Sequence, residues 1–375
     1  MPSLHAEASQ QRGLSATNTE VGELVMTKMQ TITKLRAIPT QTAAALVLGS
    51  LAAVAAGPAS QAAEKPTDVK FALLTQPGIW DAGVFGAVEN GYFKVEGLKL
   101  SFVSPQTPAD GLKLLASGGV QFATAHSTEV ITARSKGLPV VSIATNHQYG
   151  TAGIMVPTKL GVTSLKQMEG KTLGVTGIPY NRVMLEYSLK KAGADVSKVK
   201  IVTVGFNPIP LLLGKRIDGL GDAITWSETA VYNVKIGKAA ADKSTYKYFA
   251  FYQNGVPRYY TLGVVTHENT LARNPGLARR FLSAWSKGLT WAVNNQKAAV
   301  ANMRKRYPAI NEKEALANLA EIARISQSGD TNKHGIGWQD ANVWAKQEAF
   351  MRAHKLIPAM VDVKKAVTNR YLPSK

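Results

Sequence analysis

Leu98-Lys99-Leu100-Ser101-Phe102-Val103 alternates apolar and polar side chains through Phe102, the period-two pattern of a half-buried strand. What surrounds it decides the fold. Upstream, residues 69–74 read as a strand and 82–90 as a helix stopped by Gly91. Downstream, a helical pattern over 109–116 ends at Gly118-Gly119, followed by a strand over 120–125, a helix over 127–136 and a strand over 140–145. Strands separated by helices of about ten residues imply a parallel or mixed sheet with helices on both faces.

The same order recurs: strand 172–175, helix 180–192, strand 200–204, short helix 209–213, strand 222–226. Segments 114–129 and 212–228 are weak copies of each other, each a Leu-Leu helix, a glycine and a strand that runs out into polar residues. Two such lobes face to face place His126-Ser127 opposite Trp226-Ser227-Glu228. Ligands of open α/β sheets sit beyond the carboxyl ends of strands, where both exits lie. After Thr266 the pattern is helical, over 275–293, 296–306, 312–326 and 337–353, and is expected to pack back onto the first lobe. Trp285, Trp291, Trp338 and Trp344 fall at helical spacing there and read as packing residues.

The front of the chain carries a different signal. Lys34 and Arg36 precede an apolar run of 14 residues over 43–56, then Gly57-Pro58 and Ser60-Gln61-Ala62. Basic start, apolar middle and small-residue exit are the parts of a secretory signal peptide, expected to be cleaved after Ala62. The run is too short for a bilayer, which needs about 20 residues. Glu7, Glu20 and Glu23 suit such a leader badly, which favours translation from Met26 or Met29. The expected divisions are therefore a leader over 1–62, a first lobe over 67–155, a second over 156–264 and a return to the first over 265–375.

Composition narrows the chemistry. The 375 residues contain no cysteine, which excludes disulfides, thiol nucleophiles and cysteine metal sites. The net charge of +19 is spread along the chain without a basic tail, so it describes a solvated surface rather than a nucleic-acid patch. The six histidines are scattered and no metal-helix, nucleophile-elbow or phosphate-loop pattern occurs. A His126–His147 pairing stays open. No cofactor and no metal are expected, and the protein is read as a non-enzyme and a monomer.

Several segments resemble the thiamine-pyrimidine (NMT1/THI5-like) branch of ABC solute-binding proteins. They are Glu89-Asn90-Gly91-Tyr92-Phe93-Lys94-Val95-Glu96-Gly97-Leu98, Ala133-Arg134-Ser135-Lys136-Gly137-Leu138-Pro139, Trp226-Ser227-Glu228 and Gly255-Val256-Pro257-Arg258-Tyr259-Tyr260. The Gly-Tyr-Phe stretch is shared with sulfonate, taurine and nitrate binders, while the last two are narrower. The resemblance implies an α/β, two-lobe periplasmic-binding-protein fold of type II, with chain crossings near Met155-Val156 and Val264-Val265. It also implies delivery of a small molecule to an ABC permease and its ATPase.

A 4-aminopyrimidine presents a flat ring and an edge that pairs an amine donor with a ring-nitrogen acceptor. Glu228 fits that edge: its carboxylate accepts from the amine and, when protonated, also donates to the nitrogen. Trp226 and Trp80 are the stacking candidates. Gln76, His126 and Ser127 from the first lobe, with Tyr180 and Asn181 from the second, complete the expected contacts. Pro179 removes a backbone donor at a helix start, which disfavours an anionic head group. Where pyrimidine binders carry an Asp-Trp-x-Pro-Asn type stretch, this chain reads Leu74-Thr75-Gln76-Pro77-Gly78. A flavin or a sulfonate is the alternative ligand. The eukaryotic pyrimidine synthase of the same fold, which the resemblance associates with a cysteine-rich stretch, is the enzyme alternative, and a sensor subunit is the third.

Overall fold

The computed structural model describes residues 65–224 and 227–374. The expected leader and Trp226 lie outside the described residues. Ten strands alternate with helices: β1 (Thr67–Ala72), β2 (Leu98–Val103), β3 (Phe122–Ala125), β4 (Val140–His147), β5 (Ala152–Pro157), β6 (Thr172–Thr176), β7 (Lys200–Val204), β8 (Gly219–Ile224), β9 (Tyr246–Ala250) and β10 (Thr261–His267). They form two sheets with one plan, β2-β1-β3-β10-β4 and β7-β6-β8-β5-β9. In each, three neighbouring strands run parallel and the fourth runs against them. β3 and β8 hold the same central place, so their carboxyl ends are corresponding exits.

The chain passes from the first sheet to the second between His147 and Ala152, and returns between Ala250 and Thr261. The crossings expected at Met155-Val156 and Val264-Val265 thus fall inside β5 and β10. Those strands lack the alternation that marks a half-buried strand, because β5 is buried throughout and β10 up to its last residue. Glycine is required within β5: a Cβ on Gly153 would stand 2.6 Å from the Phe249 carbonyl oxygen of the neighbouring strand.

The α-helices among the described residues are α1 (Ala82–Glu89), α2 (Tyr92–Val95), α3 (Pro108–Ala116), α4 (Ser127–Ser135), α5 (Pro179–Lys191), α6 (Ile209–Leu213), α7 (Glu228–Lys235), α8 (Glu268–Arg273), α9 (Pro275–Asn294), α10 (Gln296–Arg306), α11 (Glu312–Ile325), α12 (Gly329–His334), α13 (Ala341–Ala353) and α14 (Val363–Ala366). Their starts carry the expected chemistry. Thr107, Asn274 and Asn311 accept from backbone N–H groups of the first turns of α3, α9 and α11, and proline opens α3, α5 and α9. α13 begins at Ala341 rather than Gly337. Gly337 takes φ +98°, outside the helical region, and the Asp340 carboxylate caps the Asn342 N–H at 2.8 Å.

α9 lies against α1 and carries Phe281, Leu282, Trp285 and Leu289 into the first lobe's core. A Cβ on Gly288 would meet the Gly83 carbonyl oxygen at 2.3 Å, so this helix pair closes only on glycine. Trp344 is buried in the same lobe, and Trp338 stacks on His334 at 4.0 Å. α13 departs from the expectation of packing on one lobe alone. Val343, Trp344 and Met351 join the first lobe's second core cluster, whereas Phe350 belongs to the core built around β5 and β6. Among the described residues no helix is long and apolar enough to cross a membrane.

Candidate functional site

The first wall is built where β1 runs out. Residues 79–81 form a single tight turn, held by a hydrogen bond from the Gly78 N–H to Asp81 Oδ2 at 3.0 Å. The Trp80 ring lies over Gly78 so closely that a Cβ there would come within 2.4 Å of it. Asp81 is buried, and burial pushes its carboxyl up to about 7 against the Gly78 bond that lowers it. Trp80, Asp81, Thr124, Asn146, Leu262 and Trp285 line a recess at this point. Trp285 is therefore both core and wall. Gln76 sits exposed on the same loop.

The exit of β3 is spent on holding the returning strand. His126 Nδ1 accepts from the Leu262 N–H at 3.0 Å, which requires an unprotonated Nδ1. Leu262 has φ +53°, a left-handed conformation that a branched side chain adopts only when its surroundings impose it. His126 thereby fixes a wall residue of the recess. Ser127 is buried, donating to the Tyr260 carbonyl at 2.8 Å and accepting from the Tyr260 N–H at 3.1 Å, so the chain turns it inward rather than toward a ligand. His147 does lie near His126: burial, then the charge of His126, lowers it to about 3. Its Nδ1 is 3.0 Å from Thr261 Oγ1. Among the described residues no group of three or more potential ligands could hold a metal ion.

The second wall is lined by acids. Asp222 Oδ2, near the end of β8, collects the Thr176 N–H at 3.0 Å, the Thr176 hydroxyl and Asn181 Nδ2 at 2.9 Å. This ties the ends of β6 and β8 to the first turn of α5. Glu228 opens α7, and its Oε2 accepts from the Ile224 N–H at 2.9 Å. Burial, aided by the nearby Asp222 charge and opposed by backbone bonds, pushes Glu228 up to about 7. Tyr180 is elsewhere. Its ring meets Tyr259 and Phe350 edge-on, its buried hydroxyl lies toward Gln347 of α13, and burial drives its ionisation far upward. It packs at the junction of the lobes, not on the strand-exit wall.

The two walls meet through shared neighbours. Ile224 packs against the first lobe's core, and α11 touches both the 79–81 turn and α7. The structure therefore groups Trp80 with Asp81 on one side and Asn181 with Glu228 on the other. Asp81, Thr176 and Asp222 went unread in the sequence. An acid following Trp80, and another inside an apolar strand, were the available signals.

The family model for NMT1/THI5-like proteins matches residues 81–299, more than half of the chain. This protein belongs to the NMT1/THI5-like family. It is 30% identical over 294 residues to the formylaminopyrimidine-binding protein of Halalkalibacterium halodurans, covering 76% of this chain and 85% of that one. It is 27% identical to the riboflavin-binding protein RibY of Chloroflexus aurantiacus, over 86% and 91% of the two chains. It is also 23% identical to a 4-amino-5-hydroxymethyl-2-methylpyrimidine phosphate synthase of Saccharomyces cerevisiae, over 81% and 87%. Among solved structures, the periplasmic aliphatic sulphonate binding protein SsuA from Escherichia coli superposes with a TM-score of 0.60 at 11% identity, over 81% and 92%. The match to SsuA establishes the two-lobe binding-protein fold for this member of the NMT1/THI5-like family.

Proposed function

We propose that this NMT1/THI5-like protein is the solute-binding component of an ABC importer, working outside the inner membrane on a small planar heteroaromatic of the aminopyrimidine class. The observation that carries this is a carboxyl on each wall, Asp81 buried beside Trp80 and Glu228 half-buried on the other, both pushed up to about 7 by desolvation. Near neutrality such a carboxyl exists in both forms. Ionised, it accepts from an exocyclic amine; protonated, it donates to the adjacent ring nitrogen. A sulfonate would meet two acids instead of donors, and Pro179 still withholds a backbone N–H at α5.

The relatives bear on the choice unequally. The bacterial relative named for a formylaminopyrimidine supports the pyrimidine, and the one named for riboflavin supports a larger flat ring in the same walls. Likeness to the yeast synthases argues for an enzyme only if reactive groups are present, and this chain has no cysteine. The test is calorimetric titration and thermal shift of the chain from Ala63 onward, with aminopyrimidines, thiamine, flavins, sulfonates and nitrate. A ligand at 100 times its Kd should stabilise the fold by about 2.7 kcal/mol. Glu228→Gln should weaken aminopyrimidine binding by about 10- to 150-fold, the loss of one charge-assisted hydrogen bond in a desolvated site. Response to sulfonates alone, or an unchanged affinity in Glu228→Gln, would overturn the reading.

A further inference from the structure

The two passages between the lobes are laced together by one side chain. Arg258, on the return passage, donates from Nε to the Gln148 carbonyl at 2.8 Å and from Nη2 to Gln148 Oε1 at 3.1 Å. It thus holds the outgoing passage by backbone and side chain at once. The same Nη2 reaches Asp330 Oδ2 of α12 at 3.2 Å. The guanidinium also lies over one ring from each passage, Tyr149 at 5.0 Å and Tyr260 at 5.3 Å.

Gln148 is in turn bound to the first lobe. Its N–H donates to the Ile325 carbonyl at 2.8 Å, its Nε2 donates to the Trp338 carbonyl at 2.9 Å, and its Oε1 accepts from Ser328 Oγ at 3.0 Å. Ile325 belongs to the first lobe's core. Two ring contacts add to the lacing. Tyr149 meets Tyr252 with centroids 5.2 Å apart, and a Cβ on Gly150 would stand 2.1 Å from Tyr259 Cε1. Arg258 therefore joins three pieces of chain: the outgoing passage, the return passage and α12. A guanidinium suits the task because it presents its donors in a rigid planar fork, whereas an ammonium is a point charge on a flexible stem. Arg258 is not part of the Trp80–Asp81 recess, but Asn146 and Leu262 are. Asn146 stands two residues before Gln148, and Leu262 four after Arg258.

We propose that Arg258 is the positioning residue of the hinge. It couples the two passages into one strap fixed to α12, and so sets the separation at which the walls carrying Trp80 and Glu228 rest before a ligand arrives. Without the fork each passage bends by itself, and the resting separation spreads. Arg258 acts through Gln148 and Asp330 and makes no contact with the ligand. This inference goes beyond the proposed transport ligand and rests on that reading only for the liganded half of the test.

The chain has no cysteine, so Val95→Cys on the first lobe and Lys200→Cys on the second, both at exposed positions, take a pair of spin labels without competing sites. Double electron–electron resonance on the labelled chain from Ala63 onward then reads the distance between the lobes. Arg258→Lys should broaden the unliganded distribution and shift its mean by about 2–5 Å, the scale on which packed elements slide past one another. Asp330→Asn keeps an acceptor and removes one charge at a partly exposed position, so it should fold and show a smaller change of the same kind. At saturating aminopyrimidine both variants should converge on the wild-type distance, and their apparent affinity should fall with the fraction of molecules that rest in the closing arrangement. Wild-type distributions in both unliganded variants, even with a lowered melting temperature, would reduce Arg258 to a stabilising contact and overturn the proposal. So would liganded distances that fail to converge. If Arg258→Lys does not fold, Asp330→Asn decides alone. A wild-type distance that no aminopyrimidine changes would count against the transport reading, while the unliganded comparison would still decide the role of Arg258.

Discussion

Asp81 and His147 are both buried and both titrate abnormally, in opposite senses. Asp81 is raised from 3.8 to about 7, so the folded protein binds its proton more tightly than the unfolded chain does. Its contribution to stability is fully present below the ordinary carboxylate range and is lost as pH rises through about 7. His147 is lowered from 6.5 to about 3, so its contribution is present above 6.5 and is lost as pH falls. A wild-type profile mixes the two. Asp81→Asn separates them, because the amide oxygen can still accept from the Gly78 N–H and carries no charge to bury. Compared by urea unfolding, the variant should match the wild type near about pH 3, below the ordinary carboxylate value, and exceed it by a few kcal/mol near about pH 8. A difference that stays constant with pH would mean that Asp81 is solvated and ionises normally. This residue also shows what a sequence withholds. Trp80 was legible as a candidate because large aromatics announce themselves, but the burial that gives Asp81 its chemistry comes from Trp285 and Leu262, distant in sequence and neighbours only in the fold.

Among the elements, β2, β7, α6 and α10 match their expected spans residue for residue, and α11 matches its own to within a residue. These elements carry their own punctuation in prolines, caps or alternation. β5, β9 and β10 did not announce themselves, because β5 and β10 are buried on both faces and broken by glycine, and β9 is a short edge strand. Side-chain direction was harder still: the sequence locates Ser127 and Tyr180 at helix starts, yet Ser127 bonds to Tyr260 and Tyr180 faces α13. α13 itself is the element with the sharpest consequence. Its Trp344 is buried in the first lobe, while Phe350 is buried with Tyr187 and Tyr180 against the second, the Tyr187 ring edge-on at 5.1 Å. One rigid helix thus inserts into both cores. Phe350→Ala should cost about 3–5 kcal/mol, the usual price of emptying an aromatic core position. The unfolding curve tells more than the total. If α13 couples the lobes, the wild type should unfold in one transition and the variant in two, with the second lobe melting first. A single cooperative transition in both would mean that other contacts join the lobes and that α13 is a passenger.

At the scale of the whole molecule, the repeated sheet plan carries a mechanical implication. β4 continues into β5 across four residues, and β9 into β10 across ten, so the lobes are joined by two short passages set side by side in the strand orders. Beyond them the walls carrying Trp80 and Glu228 belong to different sheets, linked at their margins by α11 and α13. Movement about the passages changes the gap between those walls without disturbing either sheet, which is the geometry of hinge closure. Leu262 lies just beyond the return passage in a left-handed conformation held by His126, so the strain sits where a bending motion would be absorbed. A ligand that touches both walls binds the closed arrangement better than the open one, and it can shift the balance only by that difference in affinity. Small-angle scattering should therefore show a smaller radius of gyration at saturating aminopyrimidine than without it. Glu228→Gln should need more ligand to reach the same contraction, since it weakens one wall and leaves the hinge intact. His126→Ala should behave differently, leaving the Leu262 N–H without its acceptor and altering the unliganded radius itself. A radius unchanged at saturation, with binding confirmed by calorimetry in the same sample, would mean that the walls already stand at their bound separation and that capture proceeds without closure.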